Sequence, residues 1–249
     1  MKDSMPAEPN AILSARSVTK VYRTGVQEVE ALRDIDLDIQ AGEMVMVMGP
    51  SGNGKTTLLN CLSGLDEIDS GQVWVDGQEI HDMSDGARTE HRARRMGFVF
   101  QSFNLIPVFT AVENVELPLL NLGVKGREAR RRATEMLGRV ALDARADHKP
   151  TELSGGEQQR VAVARALVSE PAIIWADEPT GNLDSHTAES VLELLQEVHS
   201  GGQTLVVVTH DRGIGATGTR LVQMRDGMVV YDGTPDHEHL DAAAATPAI

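Results

Sequence analysis

The chain is poor in cysteine, in aromatic side chains and in positive charge, and it has no long apolar run. Its one cysteine, Cys61, cannot form an internal disulfide, which excludes a small disulfide-framed module and fits a reducing compartment. No stretch approaches the roughly 18 apolar residues that a bilayer span requires. Residues 1–10 are polar and carry two prolines, which is unlike a signal peptide. The expectation is a cytoplasmic protein that meets a membrane only through a partner. Acidic side chains number 37 against 23 basic ones, a net charge of −14, which argues against a nucleic-acid-coating role. The basic residues are clustered, at Arg88, Arg92, Arg94 and Arg95 and at Lys125, Arg127, Arg130, Arg131 and Arg132. Such runs are either solvated helix faces or a docking surface for anionic groups.

A length of 249 residues with 41% hydrophobic content is enough for one large α/β domain or two modest lobes. Ile35, Leu37 and Ile39 alternate with acidic neighbours, the period of a half-buried antiparallel strand. Met44 to Met48 is a continuous apolar run, as in a buried parallel strand, and Lys55 to Ser63 then reads as a helix that contains Cys61 as a packing residue. The stretch 110–146 is helical in pattern and implies a separate helical lobe. Helix and strand alternate after it: helix over 155–169, strand over 172–176, helix over 185–199, strand over 204–209. Asp226-Gly227 between apolar runs marks a tight hairpin. The tail after Thr234 is expected to be loosely ordered, like residues 1–10. This alternation implies an α/β core with a parallel sheet, an N-terminal antiparallel β subdomain, and a helical insertion over about 110–168.

The chemistry sits in a few ordered segments. Gly49-Pro50-Ser51-Gly52-Asn53-Gly54-Lys55-Thr56 lies between a strand and a helix, the context that makes a glycine loop a phosphate site. Its backbone N–H groups are expected to converge on phosphate oxygens, with Lys55 reaching the β- and γ-phosphates and the Thr56 hydroxyl binding Mg²⁺. Asp177 ends an apolar strand, so its carboxylate emerges where ligands bind in such sheets and can hold Mg²⁺. Glu178 points elsewhere and can orient or deprotonate a water. Leu153-Ser154-Gly155-Gly156-Glu157-Gln158-Gln159-Arg160 satisfies a helix capping box at Ser154 and Glu157 and is also an anion site in its own right.

Taken together, residues 11–233 resemble an ATP-binding-cassette ATPase. The resemblance implies ATP binding by Gly49, Ser51, Gly52, Asn53, Gly54, Lys55, Thr56 and Thr57, and by Ser154, Gly155 and Gly156 of a second copy across a head-to-tail homodimer. It also implies Mg²⁺ contact by Gln101, in Phe98-Val99-Phe100-Gln101, beside Thr56 and Asp177. His210 would contact the γ-phosphate and act with Glu178 and Lys55 in catalysis, and Asp184 would link the two sites. Tyr22 would stack on adenine, although a strand-end tyrosine would look the same. The segments 98–105 and 176–184 resemble the branch of lipoprotein-release and macrolide-export ATPases. Asn53 stands where Ser or Ala is commoner, and Trp175 where a smaller aliphatic is usual.

That branch implies a transmembrane permease partner, attachment to the inner face of the membrane, and ATP hydrolysis coupled to export or mechanical work. Activation of a cell-wall hydrolase through a permease is the alternative output. A soluble cassette ATPase acting away from membranes is a third class.

Overall fold

The computed structural model describes residues 11–25 and 27–244. The chain begins β1 (Ala11–Thr24), β2 (Gln27–Gln40), β3 (Met44–Met48), α1 (Lys55–Leu62), β4 (Ser70–Val75) and β5 (Gln78–Glu79). It continues with α2 (Asp85–Arg95), β6 (Met96–Phe100), α3 (Ala111–Asn121), α4 (Gly126–Arg139), α5 (Gly155–Leu167) and β7 (Ile173–Asp177). Last come α6 (Ser185–Ser200), β8 (Thr204–Val208), α7 (Arg212–Gly215), β9 (Arg220–Arg225), β10 (Met228–Gly233) and α8 (His237–Ala244). Two compact units emerge: one holds the chain up to Arg88 and again from Thr204, the other Thr89–Gln203.

In the first unit, β1 pairs antiparallel with β2 and with β4, with Ala15 opposite Leu37 and Val18 opposite Ile35. Leu13, Ala15 and Val18 are buried with Ile35, Leu37 and Ile39, so the alternation in the sequence marks one inward face. A second sheet in this unit runs in the order β10-β9-β3-β8, with β3 parallel to both neighbours. All five β3 residues are buried, which is why this strand reads as an unbroken apolar run. Asp226 and Gly227 have φ of 50° and 77°, the left-handed pair that lets a two-residue turn follow the twist of β9 and β10.

Cys61 is buried on α1, and burial pushes its thiol up to about 12. Because the thiolate is the nucleophile, the native protein is expected to resist maleimide at neutral pH and to label only in denaturant. Rapid labelling of the folded chain would contradict this placement.

The end of the chain corrects one expectation. Residues 237–244 form α8 rather than a loose tail, because Leu240 and Ala243 are buried and Asp236 accepts from the His239 N–H at 2.8 Å. Arg212 of α7 also pairs with Asp241 at 2.8 Å. Residues 1–10 and 245–249, expected to be loose as well, lie outside the described residues.

In the second unit, β6 and β7 are parallel, with Val99 opposite Ala176 and Phe100 opposite Asp177. The helices α3, α4 and α5 pack with one another, and Thr110 and Glu113 close a capping box at the start of α3. This unit also takes in elements outside the helical stretch 110–168, because β6 and α6 pack with α5 and β7 pairs with β6. Trp175 is buried within β7, and its indole N–H has no hydrogen-bond partner among the described residues.

Several arginines of the two clusters are engaged by acidic side chains. Helix α2 buries none of its residues; Arg88 pairs with Asp85 and Glu67, and Arg94 with Glu90. On α4, Arg131 pairs with Glu128 and Glu135, and Arg130 reaches Glu116. Where both partners are exposed, as in Arg94–Glu90 and Arg131–Glu135, such pairs contribute little to stability.

Candidate nucleotide site

The first unit carries the phosphate loop, which leaves β3 at Gly49 and enters α1 at Lys55. A Cβ on Gly49 would lie 2.2 Å from the Met224 carbonyl oxygen, so β9 admits no side chain there. Gly54, at φ 90°, is the N-cap of α1. Its position is equally tight, with the Ala31 carbonyl 2.4 Å from where a Cβ would stand. Helices α3, α5, α6 and α7 are capped by side chains of Thr110, Ser154, Asp184 and Asp211. Helix α1 has no side-chain cap and no acid in its first turn, so its first N–H groups and its positive dipole end suit an anion.

The Lys55 side chain is buried, and its Nζ donates to Gly49 O at 2.7 Å and Pro50 O at 3.0 Å. These bonds curl the loop around the ammonium group. Ser51, Gly52 and Thr56 are exposed. Asn53 explains its own departure from the commoner small residue. Its Nδ2 donates to Pro50 O and Ser51 O, both at 3.2 Å, and its Oδ1 accepts from Asp226 N at 2.7 Å, pinning the loop to the β9–β10 turn.

Lys55, Thr56 and Thr57 share a cavity of about 600 Å³ with Tyr22 and Met228. The Tyr22 ring is 39% exposed, and its hydroxyl donates to Asp66 Oδ2 at 2.8 Å. Burial, followed by that bond, raises the phenol above its ordinary value. Lys20 Nζ lies 5.0 Å from the ring centroid and donates to Asp66 Oδ1 at 2.9 Å. Burial works against the charge on Asp66, but the bonds from Lys20, Tyr22 and the Glu67 N–H outweigh it and hold the carboxyl below the usual range.

His210 is exposed just beyond β8, whose Val208 pairs with Val47 of β3, so it leaves the sheet on a strand next to the one that feeds the loop. The Thr209 N–H donates to Val47 O at 3.1 Å, and Thr209 Oγ1 accepts from Asp211 N at 3.0 Å, fixing the backbone on both sides of His210.

The second unit brings Gln101, Asp177 and Glu178 to one sheet edge, because β6 and β7 end side by side at Phe100 and Asp177. Glu178 has φ 46°, a conformation rare for a residue with a side chain and typical of functional turns. The turn is closed by Gly181 N donating to Glu178 O at 3.0 Å. Gln101 Nε2 donates to Asn182 Oδ1 at 3.3 Å, and Asn182 Nδ2 returns a bond to Gln101 O at 3.0 Å. The loop beyond is left-handed at Phe103 and Asn104, whose carbonyls both accept from Arg165 of α5.

Ser154 N-caps α5 in a complete capping box: Ser154 Oγ accepts from Glu157 N at 3.3 Å, and Glu157 Oε2 accepts from Ser154 N at 2.8 Å. The Ser154 N–H and hydroxyl lower the Glu157 carboxyl, with Arg145 adding to the effect. The side chain of Ser154 is exposed and Gly156 is buried beneath it. Asp184 caps α6, accepting from Thr187 Oγ1 at 2.6 Å and Thr187 N at 3.1 Å. Its carboxylate is thus committed within its own chain.

Comparison with known proteins agrees with this arrangement: the model of the ABC transporter family matches residues 32–181. The chain belongs to the ABC transporter family. The lipoprotein-releasing system ATP-binding protein LolD of Pseudomonas fluorescens is 47% identical over 88% of this chain and 97% of its own length. The macrolide export ATP-binding/permease protein MacB of Brucella melitensis is 44% identical over 95% of this chain, which spans only 36% of that longer protein. Among solved structures, the ATP-binding cassette MJ0796 of Methanocaldococcus jannaschii, a dimer bound to ADP and Pi after hydrolysis, superposes with a TM-score of 0.82. It is 44% identical, over 90% of this chain and 99% of its own. This cassette is accordingly an α/β ABC ATPase, the ATP-binding subunit type of a transporter.

Three side chains of this cassette had no separate signal in the sequence. Gln159 is fully buried on α5, and its Nε2 donates to Pro179 O just after Glu178. It sits inside the Leu153–Arg160 motif, where only its burial distinguishes it. Asp66 and Lys20, which hold Tyr22, belong to no local pattern at all.

Proposed function

We propose that this cassette is the ATP-hydrolysing subunit of an exporter or force-transmitting complex, bound to a transmembrane permease on the inner face of the membrane. The observation that carries the reading is the uncapped α1 N-terminus behind a buried Lys55, opening into the cavity that Tyr22 lines. The triphosphate then takes the place of the missing cap. Lys55 exchanges loop carbonyls for phosphate oxygens, and Tyr22 offers its ring to the base.

Glu178 orients the attacking water and accepts its proton, and His210 holds the γ-phosphate end. Ser154 and Gly156 act on the nucleotide of a second copy, so the working form is a homodimer, a reading that the dimeric structure of MJ0796 supports. The donor set fits Mg²⁺, since the hydroxyl of Thr56, the amide oxygen of Gln101 and the carboxylate of Asp177 are hard oxygen ligands. When bound, the ion neutralises charge on the β- and γ-phosphate oxygens.

The relatives of this branch support a permease partner, and no described helix is long and apolar enough to cross a membrane. The test is affinity capture of the Glu178→Gln variant with ATP from detergent-solubilised native membranes, read by mass spectrometry. Recovery of a permease with a large extracytoplasmic domain is expected. Recovery of soluble partners alone would overturn the membrane role.

A further inference from the structure

We infer that Asp66, with Lys20, is a positioning residue for the nucleotide base: it locks the Tyr22 ring at a fixed distance from the phosphate loop. The inference rests on the reading of Tyr22 as the base platform. Tyr22 is a partly exposed side chain on a strand, and an untethered ring there would sample several rotamers. Its hydroxyl is instead tied to Asp66 Oδ2 at 2.8 Å.

Asp66 is itself held. Its other oxygen accepts from Lys20 Nζ at 2.9 Å and Glu67 N at 2.8 Å, and Lys20 also donates to Glu67 O at 2.7 Å. The backbone N–H groups of Leu65 and Asp66 both donate to Asn60 O, at 2.9 and 3.1 Å. The Asp66 turn is therefore a direct continuation of α1, the helix whose opposite end is the phosphate loop. One short rigid element thus sets two things: where phosphates bind and where the phenol hydroxyl is anchored. Lys20 covers one face of the ring from 5.0 Å, which directs a base to the other. A platform ordered before binding loses less freedom on stacking, and the gain appears as affinity for the base-bearing nucleotide.

The experiment compares ATP with ribose 5-triphosphate, which has the phosphates and no base. Wild type, Asp66→Ala, Tyr22→Phe, Tyr22→Leu and the Asp66→Ala/Tyr22→Leu double variant are titrated with each by calorimetry, and steady-state ATPase is measured alongside. Asp66→Ala is expected to weaken ATP roughly fivefold, the scale of one lost hydrogen bond. It should leave ribose 5-triphosphate unchanged, raise KM and keep kcat within about twofold. Tyr22→Phe removes only the tethered hydroxyl, needs no refolding of the turn, and should show the same base-dependent loss. The double variant should bind ATP no more weakly than Tyr22→Leu alone.

Equal weakening of both ligands by Asp66→Ala, or full additivity in the double variant, would overturn the positioning role. If Tyr22→Leu binds ATP as wild type does, the stacking reading itself falls. If Tyr22→Leu is impaired while Asp66→Ala and Tyr22→Phe are normal, the platform stands and only its tether is rejected.

Discussion

Glu178→Gln is expected to bind ATP as wild type does and to lose at least about 100-fold in turnover, the low end of what a positioned general base contributes. Gln matches Glu in shape, so the left-handed turn at Glu178 and its closure by Gly181 N are left in place. What disappears is the capacity to take a proton. Binding without hydrolysis should trap the closed pair, so the variant is expected to run as a dimer with ATP and as a monomer without it. Phosphate release and light scattering behind size exclusion check the two halves independently. Hydrolysis near the wild-type rate would remove Glu178 from the chemistry, and an ATP-independent elution would remove the dimer cycle.

Lys55→Met should fail earlier, at binding. The ammonium of Lys55 is buried and holds two loop carbonyls, so its loss costs both the cationic partner of the phosphates and the curl of the loop. Charge-assisted bonds contribute about 1.5–3 kcal/mol each. Losing one or two of them implies an ATP affinity roughly 10- to 10,000-fold weaker and turnover below detection. A ligand that binds only the folded state stabilises it by RT ln(1 + [L]/Kd) and so raises its melting temperature. ATP should therefore stabilise wild type and Glu178→Gln against heat and leave Lys55→Met unmoved. A normal thermal shift in Lys55→Met would place the anion site elsewhere.

The contrast between these residues and Asp66 explains what could be read from the sequence. The strand, the glycine turn and the uncapped helix around Lys55 are contiguous, so composition and period alone expose them. The Ser154–Glu157 capping box is equally local, and the structure contains it as spelled. Asp66 reaches Tyr22 across 44 positions, and Asn53 reaches Asp226 across 173, and neither separation leaves a local trace. The left-handed turn at Glu178 was also hidden, since Glu has no propensity for it and the surrounding packing imposes it. Asp184 is the reverse case: its cap on α6 follows from Ser185 to Thr187 beside it, whereas the linking role came from resemblance alone. Helix α8 was missed because eight residues with two buried positions carry too weak a period.

The pinning of Asn53 to the β9–β10 turn has a consequence for biosynthesis. β3 and the phosphate loop leave the ribosome early, but their neighbours in the sheet, β8 and β9, are made much later, and the Gly42–Thr204 bond alone spans 162 positions. A nascent chain halted before residue 204 has the whole loop sequence and none of the strands that flank β3. Residues 89–203, by contrast, are contiguous and can pack as they emerge. ATP can therefore engage this loop only after β8 and β9 have been made, which makes nucleotide capture a report that both strands flanking β3 are in place.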